Sequence, residues 1–225
     1  MPSVHTNRGT KRARMARAEL GLDPLRPVAC VLSCVEEAVG IPVAAWDMGD
    51  DALAGAFVRR GAGRVIFVNG AQAAVRVRFT LAHELGHAWI GHDSSEGIES
   101  YAALHGRDPR EVEANAFAAE FLVPRCAMEE LLADRARPTL EELVVVARAY
   151  GVSAESVLYR MRTCELVEDT WADRLKGEID ERLHHRLGHD APALEDRLSD
   201  LALPYLSPAL AASRLADQLH AAVRL

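Results

Sequence analysis

The stretch "RFTLAHELGHAWIGHD", residues 78–93, sets His83, Glu84 and His87 into a run that is otherwise largely apolar. Polar rings in such surroundings need partners, so the element that carries them dictates what the rest of the chain must supply. A helix answers the spacing: positions i and i+4 lie one above the other, and His83 and His87 then aim at one point. Glu84 sits one residue further round, placed to touch a metal-bound water without taking the metal. Leu81, Leu85 and Ala88 give this helix an apolar side, and Trp89 and Ile90 extend it. Thr80 is the expected N-cap and Gly91 the expected end. Gly86 costs about 0.5–1 kcal/mol relative to alanine in a helix, and its expected use is the close approach of a neighbouring element.

Two histidines do not complete a catalytic metal site, which takes three protein ligands and leaves one position open. An H-E-x-x-H-x-x-G-x-x-H arrangement is excluded, because positions 90 and 93 are Ile90 and Asp93, and His92 is out of register. The third ligand must come from elsewhere. In "REVEANAFAAEFLV" (110–123), Ala114, Phe117, Ala118, Phe121 and Leu122 form an apolar stripe. Glu113 borders the stripe beside Phe117 and is the best placed carboxylate. Glu111 borders its other side and Glu120 lies two turns on. A solvated helix face is the ordinary place for any one of them.

The remaining elements define an α+β chain. Helical spacing is evident over 13–20 and 28–39, the second stopped by Gly40. Short β-like runs follow at 41–46, 53–60 and 64–69, separated by the turn sequences "DMGDD" and "GAG". With no helix between them, they are expected to form a small antiparallel meander packed on the histidine helix, an arrangement that, with the H-E-x-x-H motif, resembles a minimal thermolysin-like zincin core. Residues 93–108 read as loop, and Pro124 stops the helix over 110–123. In 139–162, Thr139 and Glu142 have capping-box spacing, Gly151 makes a turn, and a further helix starts after Ser153. Beyond about residue 165, Pro192, Pro204 and Pro208 break up two or more amphipathic helices. The expected organisation is a basic arm at 1–12, a catalytic core at 13–135, a helix-turn-helix-like pair at 136–165 and a helical extension at 166–225.

At 225 residues the chain is long enough to bury a real core. No apolar run approaches the ~18–20 residues of a membrane span. The first residues lack the apolar segment of a secretory signal, which predicts a cytoplasmic protein. Cys30, Cys34, Cys126 and Cys164 form no CxxC pair and are expected to be buried free thiols. A net charge of −7 argues against a protein built to grip nucleic acid. Arg8, Lys11, Arg12, Arg14 and Arg17 form a local basic cluster, expected to be a solvated arm or helix face, with a weak acidic or nucleic-acid contact as its alternative.

"RFTLAHELGH" followed by "EVEANAFAAEFLVP" resembles the ImmA/IrrE family of bacterial zinc metallopeptidases, over roughly residues 12–165. The resemblance implies that His83, His87 and Glu113 hold zinc and that Glu84 is the catalytic base. His92, Tyr101 and Asn115 are candidates for supporting or oxyanion-stabilising roles, with His105 in the same stretch and Thr80 as a possible support. A His/His/Glu donor set suits Zn2+, with Mn2+ or Fe2+ as alternatives. The family further implies an intracellular endopeptidase that cuts a helix-turn-helix repressor or an antitoxin, in stress response and transcription regulation. Two other readings stand beside it: a zinc-containing regulatory module that does not cut, and a DNA-binding regulator using residues 139–162. The few cations in "AESVLYRMR" favour a scaffold role for those helices over DNA contact. The oligomeric state is not legible in the sequence.

Overall fold

The structure is a computed structural model that describes residues 3–50, 52–60, 63–92, 99–100, 108–133, 137–179, 183, 187 and 205–208. The chain opens with helix α1 (Val4–Glu19), capped by the Ser3 side chain, which accepts from the Thr6 amide. This helix begins well before the expected residue 13, because its polar N-terminal turns have a partner within the fold. A short α2 (Val31–Ser33) runs into a π turn (Cys34–Ala38) and ends at Gly40, whose φ of +70° is left-handed. Strands β1 (Val43–Trp46), β2 (Leu53–Arg60) and β3 (Gly63–Asn69) precede the long helix α3 (Ala74–Ile90). A two-residue strand β4 (Glu99–Ser100) leads toward α4 (Pro109–Leu122) and α5 (Arg125–Leu131). Helices α6 (Leu140–Tyr150), α7 (Ala154–Thr163) and α8 (Asp169–Lys176) follow, and β5 (Tyr205–Leu206) returns to the sheet.

The five strands lie in the order β4-β2-β3-β1-β5. The sheet is mixed, which corrects the expected antiparallel meander. β2 and β3 form an antiparallel pair, but β1 lies parallel to β3, with Val43 opposite Ile66 and Ala45 opposite Val68. The chain between β1 and β2 therefore reverses direction by passing over the end of β3, which lies between them. Asn69, buried at that end, holds the crossing. Its Nδ2 donates to the carbonyls of Asp50 (3.1 Å) and Leu53 (3.0 Å), and its Oδ1 accepts from the amides of Met48 (3.4 Å) and Ala71 (3.2 Å). A short connection signals adjacency in sequence terms, and the Asn69 bonds hold a crossing that departs from it.

α3 is buried on nearly every side, lying between the sheet and α4. Gly55 of β2 lets it sit down on the strand: a Cβ there would stand 2.7 Å from Thr80 Cγ2 and 2.6 Å from the Phe67 carbonyl. Thr80 is thus inside the helix and not its cap, since α3 starts at Ala74. Gly91, with φ of +82°, ends it as expected. α4 has Asp108 as N-cap and Pro109 in its first turn, where a missing N–H costs nothing.

α1 lies along α4 through a face of small residues, Gly9, Ala13 and Ala16. Its cations then reach across. Arg14 Nε donates to Glu120 Oε1 (2.7 Å), and Arg17 Nη1 donates to the Phe121 carbonyl (2.6 Å), a group the helix end leaves without an intrahelical partner. Glu120 also pairs with the buried Arg160 of α7, whose Nε donates to the Val123 carbonyl (2.9 Å). The capping box of Thr139 and Glu142, the left-handed Gly151 and the Ser153 cap all form where the sequence signals them.

After α8, the strand β5 adds to β1: the Ser207 amide donates to the Val43 carbonyl (2.9 Å), and Tyr205 Oη donates to Glu36 Oε2 (2.7 Å). An extended segment here departs from the expected all-helical extension. Most of residues 180–225, including the segments about Pro192, lie outside the described residues.

Candidate metal centre

α3 carries the histidine pair into the middle of the molecule, where His83 and Glu84 are fully buried and His87 nearly so. His83 Nε2 and His87 Nε2 lie 3.0 Å apart. The Glu111 carboxylate of α4 meets both, one oxygen 3.3 Å from His83 Nε2 and the other 3.5 Å from His87 Nε2. These three residues offer ligand atoms that all lie within 4.8 Å of one another. Ligands at the usual zinc distances, arranged tetrahedrally, stand about 3.3 Å apart, so the cluster has the dimensions of a metal site.

The donor set fits a cation chemically as well. Asn115 Oδ1 lies 3.1 Å from His83 Nδ1 and can only accept, which puts the ring proton on Nδ1 and the lone pair on Nε2. Glu111 Oε2 is buried without a hydrogen bond, as an oxygen reserved for a metal would be. Glu84, between the two histidines in sequence, is the carboxylate of the motif that none of these metal-ligand distances involves.

The carboxylate brought to the imidazoles is that of Glu111, not of Glu113, the expected third ligand. Glu113 is buried two residues on and turns to different partners. Its Oε1 lies 2.8 Å from His5 Nδ1, its Oε2 lies 3.0 Å from His92 Nε2, and Arg8 Nη1 donates to it at 3.0–3.2 Å. Burial pushes this carboxyl up, but hydrogen bonds from His5 and His92 and the Arg8 guanidinium outweigh it and hold Glu113 below the usual carboxylate range. His92 bridges inward, with its Nδ1 3.0 Å from His87 Nδ1. Asn115 and His92 thus both touch histidines of the motif, whereas Tyr101 and His105 lie outside the described residues. One signal did point to Glu111: it stands four residues before Asn115, so the two share a helix face.

A helix bearing H-E-x-x-H, faced by a carboxylate from a second helix, is the donor pattern of a metallopeptidase. The model of the Peptidase M78 family, described as the IrrE N-terminal-like domain, matches residues 36–162, and the chain belongs to this family. The radiation response metalloprotease IrrE of Deinococcus radiodurans is 38% identical over 100 residues, which is 43% of this chain and 30% of that protein. Its counterpart from Deinococcus deserti is 37% identical over 100 residues, 43% of this chain and 35% of that protein. The chain thus aligns with only about a third of each of these relatives. A solved structure of a Mycobacterium tuberculosis transcriptional regulator aligns over 69% of this chain and 46% of that one, at 19% identity and a TM-score of 0.46. No helix among the described residues is long and apolar enough to cross a membrane.

Proposed function

We propose that this chain is a zinc-dependent endopeptidase in which His83, His87 and Glu111 hold the metal and Glu84 is the catalytic base. The observation that carries this reading is the convergence of three ligand atoms on one buried point beside a glutamate of the same helix. When bound, zinc supplies a Lewis acid that acidifies water and polarises a peptide carbonyl. Glu84 takes the proton of the attacking water and hands it to the leaving amine. Asn115 keeps His83 in the tautomer that directs its lone pair inward, and the packed surroundings of α3 hold the ligands rigid.

The substrate we propose is a cytoplasmic regulatory protein, a helix-turn-helix repressor or an antitoxin, as the family resemblance implies. A DNA-binding role for α6 and α7 is the weaker reading. Arg160 is turned inward to Glu120, and Arg162 is engaged by Asp169 (2.7 Å) and Asp173 (3.0 Å), so neither is presented to phosphate. A Glu84→Gln variant is expected to keep zinc while losing cleavage, and so to trap the substrate. Equal processing of a captured repressor by wild type and Glu84→Gln would overturn the peptidase reading.

A further inference from the structure

We propose that Glu113 is a positioning residue, anchoring a relay through His92 that fixes His87 in its metal-binding tautomer, and that the N-terminal helix completes this relay through His5 and Arg8. The proposal rests on the metal-centre reading above and assigns Glu113 a role other than ligand.

The direction of the relay follows from what each group can do. Surrounded by a guanidinium and two imidazoles, Glu113 is ionised and can only accept. His92 Nε2, 3.0 Å from Glu113 Oε2, then donates to that carboxylate, and a ring whose one proton sits on Nε2 offers Nδ1 as an acceptor. The atom 3.0 Å from that acceptor is His87 Nδ1, which must donate. His87 therefore keeps its lone pair on Nε2, the nitrogen that faces His83 Nε2 and Glu111. His83 reaches the same tautomer by a shorter route, through Asn115. A carboxylate commonly supports a ligand histidine directly, raising its basicity and fixing its plane. Here a second imidazole is inserted between the two.

α1 supplies the outer end. His5 and Arg8 are one turn apart on α1: His5 meets Glu113 Oε1, and Arg8 spans both carboxylate oxygens, including the Oε2 that His92 contacts. Gly9 lies directly over the α4 backbone, so close that a Cβ there would meet the Glu113 carbonyl at 2.1 Å. These α1 residues precede the 36–162 stretch matched by the family model.

The test is zinc affinity of the full chain, by competition with a chromophoric chelator, for wild type, Glu113→Gln, His92→Phe, their double variant and Glu111→Gln. Glu113→Gln and His92→Phe are each expected to weaken zinc binding about 10–100-fold. Because they act in series, the double variant should be no weaker than the worse single. Glu111→Gln should bind far more weakly than either. Long-range proton–nitrogen NMR of the zinc-loaded protein should place the His87 proton on Nδ1 in wild type, and thermal unfolding without zinc checks that the variants fold. Undiminished binding in both Glu113→Gln and His92→Phe would overturn the relay alone. Loss of binding in Glu113→Gln with Glu111→Gln unaffected would overturn it by making Glu113 a ligand. A wild-type chain that takes up no zinc would overturn the metal centre and the relay together.

Discussion

Gly86 of α3 and Phe117 of α4 meet where the two helices cross: an added Cβ on Gly86 would stand 3.1 Å from Cβ, Cγ and Cδ1 of Phe117. Phe117 is fully buried and stacked on Phe121, with ring centroids 5.6 Å apart, so it has little room to give way. The spacing of α3 and α4 is also the spacing of the two histidines from Glu111.

Gly86→Ala therefore sets helix propensity against packing. Alanine gains about 0.5–1 kcal/mol in a helix, while overpacking a rigid core costs about 1–3 kcal/mol. The net expectation is a modest loss of stability with a disproportionate loss of zinc affinity. Urea unfolding beside chelator competition checks both; a variant that is more stable and binds zinc as tightly would show that the helices can part freely.

Gly9→Ala places a methyl against the backbone of α4 instead of against a side chain. With the Glu113 carbonyl at 2.1 Å and Ala116 Cβ at 2.9 Å, α1 must shift bodily. The expected outcome is a lower melting temperature and faster proteolytic cutting within residues 4–19. Unchanged protection of that segment would mean that α1 is not seated as described.

Asn69→Ala removes the staple over the end of β3. The Asp50 carbonyl and the Met48 amide lose this partner, whereas Leu53 keeps a hydrogen bond from Gln72 Nε2 at 3.0 Å. The Asp50 carbonyl still accepts from the Leu53 amide at 3.1 Å, so the one half-buried Met48 amide and the lost side-chain bonds set the cost, about 1 kcal/mol. The urea midpoint should fall by a corresponding amount with little change of slope.

The cysteines should differ sharply in reactivity. Cys126 is exposed, contrary to the expectation of four buried thiols, although Cys34 and Cys164 are buried. Burial, helped by neighbouring Cys30, pushes the Cys34 thiol up from 9.0 to about 11. At mildly alkaline pH, iodoacetamide should label Cys126 first and Cys34 only on unfolding. Because the folded value is the raised one, the associated stability is complete below pH 9.0 and drains away as pH rises through about 11. Mass spectrometry of the labelled peptides decides the order.

Local signals were legible where the chemistry is local. The end of α3 at Gly91, the stop at Pro124 and the Thr139–Glu142 box each depend on residues within one turn. The histidine pair was legible for the same reason. The parallel pairing of β1 with β3 was not, because it depends on Asn69 reaching a loop about twenty residues back. That Glu111 is the carboxylate meeting the histidines was missed for a related cause. Glu113 is buried as its place beside the stripe suggested, but α4 has two neighbours, and Glu113 faces α1 while Glu111 faces α3. A reading that treats residues 1–12 as a solvated arm leaves only one partner to turn inward to.

Helix α1 is made well before α4, and the α4 groups it bonds lie about a hundred residues later in the chain. It must wait in water until α4 emerges, and Glu120 gains its second arginine only once α7 has followed. A leucine-rich face would invite wrong partners during that delay. A strip of glycine and alanine flanked by arginines does not, and it finds its place by charge when the glutamates arrive. A helix made before its partner thus closes over the candidate site only after the residues of that site have been made.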